Sequence, residues 1–399
     1  MRYLFYILPA IVNIIGGLFF FISAKRMADT GASSFMVALT MAVWAAFYAG
    51  TSYLQGYILT RRNATRLLLI GQTVLLVSLC GLLLTENVNL QYFWLMGTGI
   101  GTSMFFTPFQ MVVKLLGKEE HSLDSISMNT AIYTFSWSFG LALGPFLTAL
   151  IWGCFSAQNG WQYCYGITIA MVIAVIISIL FLSHFVKQKL AEEETTEKSA
   201  DNIPDPAIKT DSSTSGLPDL MVLVWILEFA GYTAVTMMRT YIPDHCTKVV
   251  GLTISEQGMV VGMVSLAQAL TALCCWKSRR WPYRPGAVGV TGTGAIAAFA
   301  LYAFCPAFGT YLLAALLLGI FSGIFCFMIT FHALVNPSKT AKYVSVNETI
   351  VGATSMTAPL FGGLLADWTN AIFPFYFCGI MLLVMILLYV SRTWKYRKI

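Results

Sequence analysis

Charge is scarce in this chain. Asp, Glu, Lys and Arg make up 11% of its 399 residues, against about 25% in soluble domains. That scarcity excludes a water-facing surface over most of the chain. Histidine is also scarce, with four residues scattered along the sequence. They cannot supply the clustered ligands or bases of an integral-membrane enzyme. The nine cysteines form no C-x-x-C pair. Cys80, Cys326 and Cys378 sit in apolar runs, and Cys274 and Cys275 are adjacent. Neither a metal centre nor a disulfide framework is expected. No G-x-x-x-x-G-K-[ST] motif is present, which excludes a P-loop ATPase. The run "GTGIG" (97–101) follows no strand, which excludes a dinucleotide loop. The chain is not expected to be an enzyme or to carry a cofactor. The formal net charge of +6 reads as basic loops beside a membrane, not as a nucleic-acid surface.

Apolar residues are abundant, at 57% of the chain with mean hydropathy +0.73. They fall into twelve runs: 4–24, 33–54, 67–85, 91–114, 126–152, 162–186, 219–242, 254–276, 286–304, 310–335, 344–366 and 372–391. In lipid each must be a helix, because its backbone has no water to bond. The first run is as long as the roughly 20 residues that span a bilayer, so it reads as a span and not as a signal peptide. The expected fold is all-α, an integral membrane protein with twelve transmembrane helices.

With the N-terminus inside, 20 of the 24 Lys and Arg residues fall on the cytoplasmic side. Lys25, Arg26 and Lys248 fall outside, and Arg239 falls within a span. This bias puts both termini in the cytoplasm and the protein in a plasma or inner membrane. Residues 187–218, "KQKLAEEETTEKSADNIPDPAIKTDSSTSGLP", are polar and cannot bury a core of their own. They read as a flexible cytoplasmic linker between an N-terminal six-helix bundle (1–186) and a C-terminal one (219–399).

The two halves echo one another. "SISMNTAI" (125–132) parallels "YVSVNETI" (343–350) at an offset of 218 residues. "GPFLTA" (144–149) parallels "APLFGG" (358–363), with the prolines offset by 214. In spans one and seven an offset of 215 sets Gly16 on Gly231 and Asn13 on Glu228. Twelve helices, a six-plus-six repeat and a long central loop resemble the major facilitator superfamily. The resemblance covers essentially the whole chain. The loop "GYILTRRNATR" (56–66) is similar to a degraded G-x-L-a-D-r-x-G-r-k motif of that family. Gly56, Arg61 and Arg66 are kept, while Thr60 stands for the acid and Asn63 for a glycine. Simple anchoring by the basic residues explains the loop equally well. "GLALGP" (140–145) resembles the family's antiporter motif, without its final glycines. Gly140 and Gly144 also form a small-xxx-small face for ordinary helix packing, and Pro145 removes a helix hydrogen bond.

The resemblance implies a central cavity lined mainly by spans 1, 4, 7 and 10. Glu228 is the foremost candidate on those spans. It lies about ten residues into span seven, roughly 15 Å deep. A charge there is costly, so the residue is a candidate proton carrier. A protonated acid bonding between helices is the structural alternative. Tyr232 lies one turn further on. Arg239 is eleven residues beyond Glu228, on nearly the same face but about 16 Å higher. It either snorkels to the outer headgroups or draws in an anionic solute. Asn13 offers an amide at the depth of Glu228. Tyr48, Tyr133, Trp137 and Trp225 could form aromatic walls, or pack against lipid. Arg61, Arg66, His332, Asn347 and Glu348 are inner-gate candidates, with an interfacial His–Glu pair as the alternative for His332 and Glu348.

The expected function is secondary active transport of a small organic solute by alternating access. The driving force expected is the proton gradient, and the lean is to export by antiport. Proton-linked uptake of a sugar or nucleoside-like solute is the first alternative, and a non-transporting membrane sensor the second. The expected partners are the solute and the lipid bilayer, with the chain acting as a monomer.

Overall fold

The computed structural model describes residues 4–60, 62–116, 123–155, 159–199, 218–277, 281–335 and 340–397. These form twelve long helices and, among the described residues, no strand. The first six are α1 (Leu4–Asp29), α2 (Ser34–Ile58), α3 (Ala64–Leu84), α4 (Gln91–Leu116), α5 (Leu123–Cys154) and α6 (Gly160–Ser199). The second six are α7 (Met221–His245), α8 (Ile254–Cys274), α9 (Pro285–Phe304), α10 (Phe308–Val335), α11 (Thr340–Trp368) and α12 (Phe373–Thr393). Successive helices run up and down, so α1 begins and α12 ends at the same end of the bundle. That end is called terminal below, and the opposite end distal.

Eleven of the twelve helices carry an apolar stretch long enough to cross a membrane. The exception is α4, whose middle, "GTGIGTS" (97–103), is small and hydroxylic. Its glycines are contact points. A Cβ at Gly97 would strike Ser78 of α3, one at Gly99 the Trp44 carbonyl of α2, and one at Gly101 Leu75 of α3. Close helix approach, not apolar bulk, seats this helix.

One boundary differs from expectation. α6 continues as helix to Ser199, well past residue 186. The sequence there, "KQKLAEEETTEKS", is dominated by Lys, Glu, Ala and Leu, which favour helix even without a core. Residues 200–217 of the expected linker lie outside the described residues. At the distal end α1 also runs further than its apolar stretch. It carries Lys25 and Arg26 on the helix, where Lys25 pairs with Asp29. Arg26 donates to the Thr85 and Glu86 carbonyls at 3.0 and 3.3 Å and lies 3.7 Å from the Trp161 ring centroid.

Helix ends follow local chemistry. Gly31 takes φ +73° in the turn before α2, and the Ser33 hydroxyl then caps the helix by accepting the Met36 N–H. α7 contains Pro243 and runs into a π turn at Cys246–Val250, closed by Gly251 at φ +74°. α8 opens with a capping box between Thr253 and Glu256.

The halves meet along two long seams, α5 against α8 and α2 against α11. Small residues set their closeness. A Cβ at Gly262 would press on Phe146 and the Ala142 carbonyl of α5, and one at Gly363 on the Ser34 carbonyl and Phe35 of α2. At the distal end polar contacts cross between the halves. The Ser34 hydroxyl donates to Asp244 at 2.5 Å, Lys248 donates to the Ala32 carbonyl at 2.5 Å, and Lys25 reaches Thr247 at 3.4 Å.

Candidate functional site

α7 carries the candidate residues into the space between the halves. Glu228 is fully buried, at 0% exposure. Neither carboxyl oxygen has a hydrogen-bond partner in the structure. The neighbouring turn is held tightly, because a Cβ at Gly231 would overlap the Phe325 ring of α10. Glu348 of α11 and Tyr232 lie within electrostatic range of Glu228. An ionised carboxylate so placed carries the cost of an unpaired buried charge, and a protonated one does not. The site therefore holds a group able to take up and release a proton as its surroundings change.

From Tyr232 a line of buried polar side chains leads across the bundle. The Tyr232 ring meets Phe325 edge-on at 5.3 Å, and its hydroxyl accepts from the Cys326 thiol at 3.7 Å. Cys326 lies 3.9 Å from the Ser322 hydroxyl on the same helix. Ser322 donates to Gln268 Oε1 of α8 at 2.6 Å, and Gln268 Nε2 donates to the Ser138 hydroxyl of α5 at 2.6 Å. The chain thus links α7, α10 and α8 of the second half to α5 of the first. The sequence reading missed Gln268, Ser322, Cys326 and Ser138. The one available signal was Gln268, a lone amide in the apolar run "SLAQALTALCC" (265–275).

Arg239 lies at the seam between the halves. Its side chain lines a cavity at the junction of α1, α5, α7 and α8, with Gly17, Phe20, Phe21, Leu141, Pro145, Val261 and Ser265. Nη2 is buried and has no hydrogen-bond partner. The titratable groups that act on it most among the described residues are the Tyr232 hydroxyl and the Cys326 thiol.

Other candidates separate into distinct places. Asn13 engages its own helix. It donates to the Pro9 carbonyl one turn back at 2.9 Å and packs where α5 passes at Gly140. Tyr48 stacks on Trp44 at 4.9 Å and lies within electrostatic range of Glu348 and Tyr133. These residues bring α2, α5 and α11 together. Trp225 donates to Asn347 Oδ1 at 2.7 Å, which fastens α7 to α11 inside the second half. Trp137 packs on the second half's apolar core, across the seam from its own helix. His332 and Glu348 do not pair. His332 is buried, with Nε2 3.3 Å from the Pro282 carbonyl and its ring edge-on to Tyr283. Glu348 is exposed on the face that looks toward Tyr48.

The two motifs also take definite places. Gly140 and Gly144 face α1: a Cβ at Gly140 would collide with the Ala10 carbonyl, and one at Gly144 with the backbone of Gly17. They hold α5 against α1 within the first half. Pro145 differs, because it lines the Arg239 cavity. In the loop after α2, Asn63 does the structural work. Its side chain accepts the Thr60 N–H and donates to the Ile58 carbonyl, both at 2.7 Å. Arg66 is exposed at the start of α3, and Arg61 lies outside the described residues.

Comparison with known proteins agrees with this architecture. The family model described as Major Facilitator Superfamily matches residues 4–336 and, in a second overlapping match, 224–398. A curated relative, the proton-coupled antiporter flippase LtaA of Staphylococcus haemolyticus, is 25% identical over 275 residues. That match covers 66% of this chain and 63% of the relative. Among solved structures, the nucleoside transporter NupG superposes with TM-score 0.66 at 10% identity, covering 100% of this chain and 99% of that one. The human organic anion transporter MFSD10 superposes with TM-score 0.63 at 11% identity, covering 96% and 98%. At such identities these structures show the fold alone.

Proposed function

The chain belongs to the major facilitator superfamily, a family of membrane transporters, and from that premise we propose that it is a proton-coupled antiporter exporting a small organic solute. The observation that carries the coupling is Glu228. It is an acid in α7, seven residues beyond Met221, fully buried, with both oxygens unpartnered. Proton binding offsets the cost of burying it, and a conformational change that hydrates it allows release. Tyr232 and Glu348 lie within electrostatic range of it.

The distal end is the extracytoplasmic face in this reading, in keeping with the basic residues at the terminal end. The crossing contacts of Ser34, Lys248 and Lys25 then shut the outer mouth. Antiport rather than symport is supported by the relative named a proton-coupled antiporter flippase.

Reconstitution in liposomes tests the proposal. Wild type is expected to move a solute against an imposed pH gradient. Glu228→Gln is expected to lose gradient-driven flux while keeping gradient-free exchange of the same solute. Gradient-driven flux unchanged in Glu228→Gln would remove the residue from coupling. No flux of any solute by wild type would favour a membrane sensor.

A further inference from the structure

The Arg239 cavity adds chemistry that the proton-coupling site does not explain. Arginine does not escape burial by losing its proton, so an arginine inside a bundle needs an anion or several acceptors. Here Nη2 is buried and unsatisfied. Glu86 is exposed in the distal loop after α3, and four other acids near the distal end are engaged. Asp29 pairs with Lys25, Asp244 pairs with Lys248 at 2.7 Å, and Glu256 closes the α8 capping box. Asp367 accepts the Ser34 and Phe35 N–H groups at 3.0 Å each. Glu228 lies eleven residues away along α7, roughly 16 Å by helix rise. The cavity therefore presents one fixed positive charge with no internal counterion among the described residues.

In this state the space is about 20 Å³, the size of one water, so the walls bear on what is held once the halves move apart. Phe20 and Phe21 of α1, with Leu141 and Pro145 of α5, give the first-half side an apolar surface. The second half supplies Arg239, Ser265 and the apolar Val261. A ligand here would lay an apolar body on one half and present its charged end to the other. Because the cavity sits on the seam between halves, its walls separate when they rock apart, and a ligand bridging them is admitted.

We propose that Arg239 binds the anionic group, a carboxylate or phosphate, of an amphiphilic substrate whose apolar part packs on Phe20, Phe21 and Leu141. The inference rests on taking the seam between the halves as the transport path. It does not depend on Glu228 as the proton carrier.

Binding in detergent solution tests it apart from coupling. The probes are 2-naphthoate and its neutral amide, 2-naphthamide, with thermal melting of the full chain as the readout. The naphthoate is expected to raise the wild-type midpoint and the amide to leave it unchanged. Arg239→Gln should weaken the naphthoate response at least about tenfold, as loss of a charge-assisted contact does. Arg239→Lys should keep part of it. Glu228→Gln should keep all of it, even if that variant shows that the proton-coupling reading is wrong. Equal responses to acid and amide, an undiminished naphthoate response in Arg239→Gln, or no response of wild type to either probe would overturn the proposal. If Arg239→Gln fails to fold, Phe20→Trp in the native-arginine background supplies the second measurement. Its fluorescence should be quenched by 4-nitrobenzoate and not by 4-nitrobenzamide, and equal quenching would overturn the proposal.

Discussion

Asp367, at the end of α11, caps a helix of the other half: one carboxylate oxygen accepts the Ser34 N–H and the other the Phe35 N–H, both at 3.0 Å. The first turn of a helix leaves its N–H groups unpaired and carries partial positive charge, so a carboxylate there is doubly suited. The donors belong to α2 and the acceptor to α11, so the cap exists only while the distal ends are together. Opening that end must break it.

Removing this cap should bias the molecule toward a distal-open state. Asp367→Ala deletes a contact worth about 1 kcal/mol, which changes a two-state ratio roughly fivefold. Distances between spin labels at Thr30 and Asn370 in a cysteine-free background would read it. A longer-distance population should grow in the variant. Identical distance distributions would show that Asp367 is a surface cap with no hold on the mouth.

Glu228 makes stability and function separable. Both of its oxygens are buried without partners, so the side chain is a cost to the fold. Glu228→Leu should raise the thermal midpoint, since replacing a buried polar group by an apolar one of similar size is often stabilising, and should abolish gradient-driven flux. A lowered midpoint would mean that the carboxyl makes a structural bond after all.

The helices, their order and the lone buried acid were legible in the sequence. Apolar run length states where a span must be, and a lone Glu in "VLVWILEFAGYTAV" (222–235) stands out against it. What a side chain meets across the bundle was not legible. Periodicity put Arg239 near the face of Glu228, but nothing in α7 says that Phe20 and Leu141 stand opposite. That placement makes Arg239 a cavity residue. Asn13 went the other way. Its repeat position matched Glu228, yet its amide donates to the Pro9 carbonyl of its own helix. The end of α6 was missed because polarity was read as loop, although Lys, Glu and Ala propagate a helix that a preceding span has already nucleated.

The glycines of "GLALGP" should prove structural. A Cβ at Gly144 would collide with Gly17 backbone atoms of α1, and backbone cannot swing aside as a flexible side chain does. Gly144→Ala should cost about 1–3 kcal/mol by overpacking, seen as a lower melting midpoint and a poorer yield of monodisperse protein. Gly166, by contrast, faces open space, so Gly166→Ala should melt as wild type. A Gly144→Ala protein with native stability and altered coupling would restore the motif's antiport reading.

Gln268 is the joint of the polar line, with one bond to Ser322 in its own half and one to Ser138 in the other, both at 2.6 Å. Interhelical hydrogen bonds inside membranes average about 0.6 kcal/mol each, so Gln268→Leu should lower stability only modestly. Its larger effect should be on movement. The Ser138 bond ties α8 to α5 along the seam that must shear when the halves rock, and a leucine has nothing to re-form at the end of the stroke. Ser138→Ala removes the same crossing bond while leaving the Ser322 bond intact. If the crossing bond matters, both variants should change the exchange rate by a similar factor, although only Gln268→Leu also loses the bond inside its half. Exchange assays in liposomes with melting curves on the same preparations would decide. A rate change in Gln268→Leu that Ser138→Ala does not share would place the role of Gln268 within its own half.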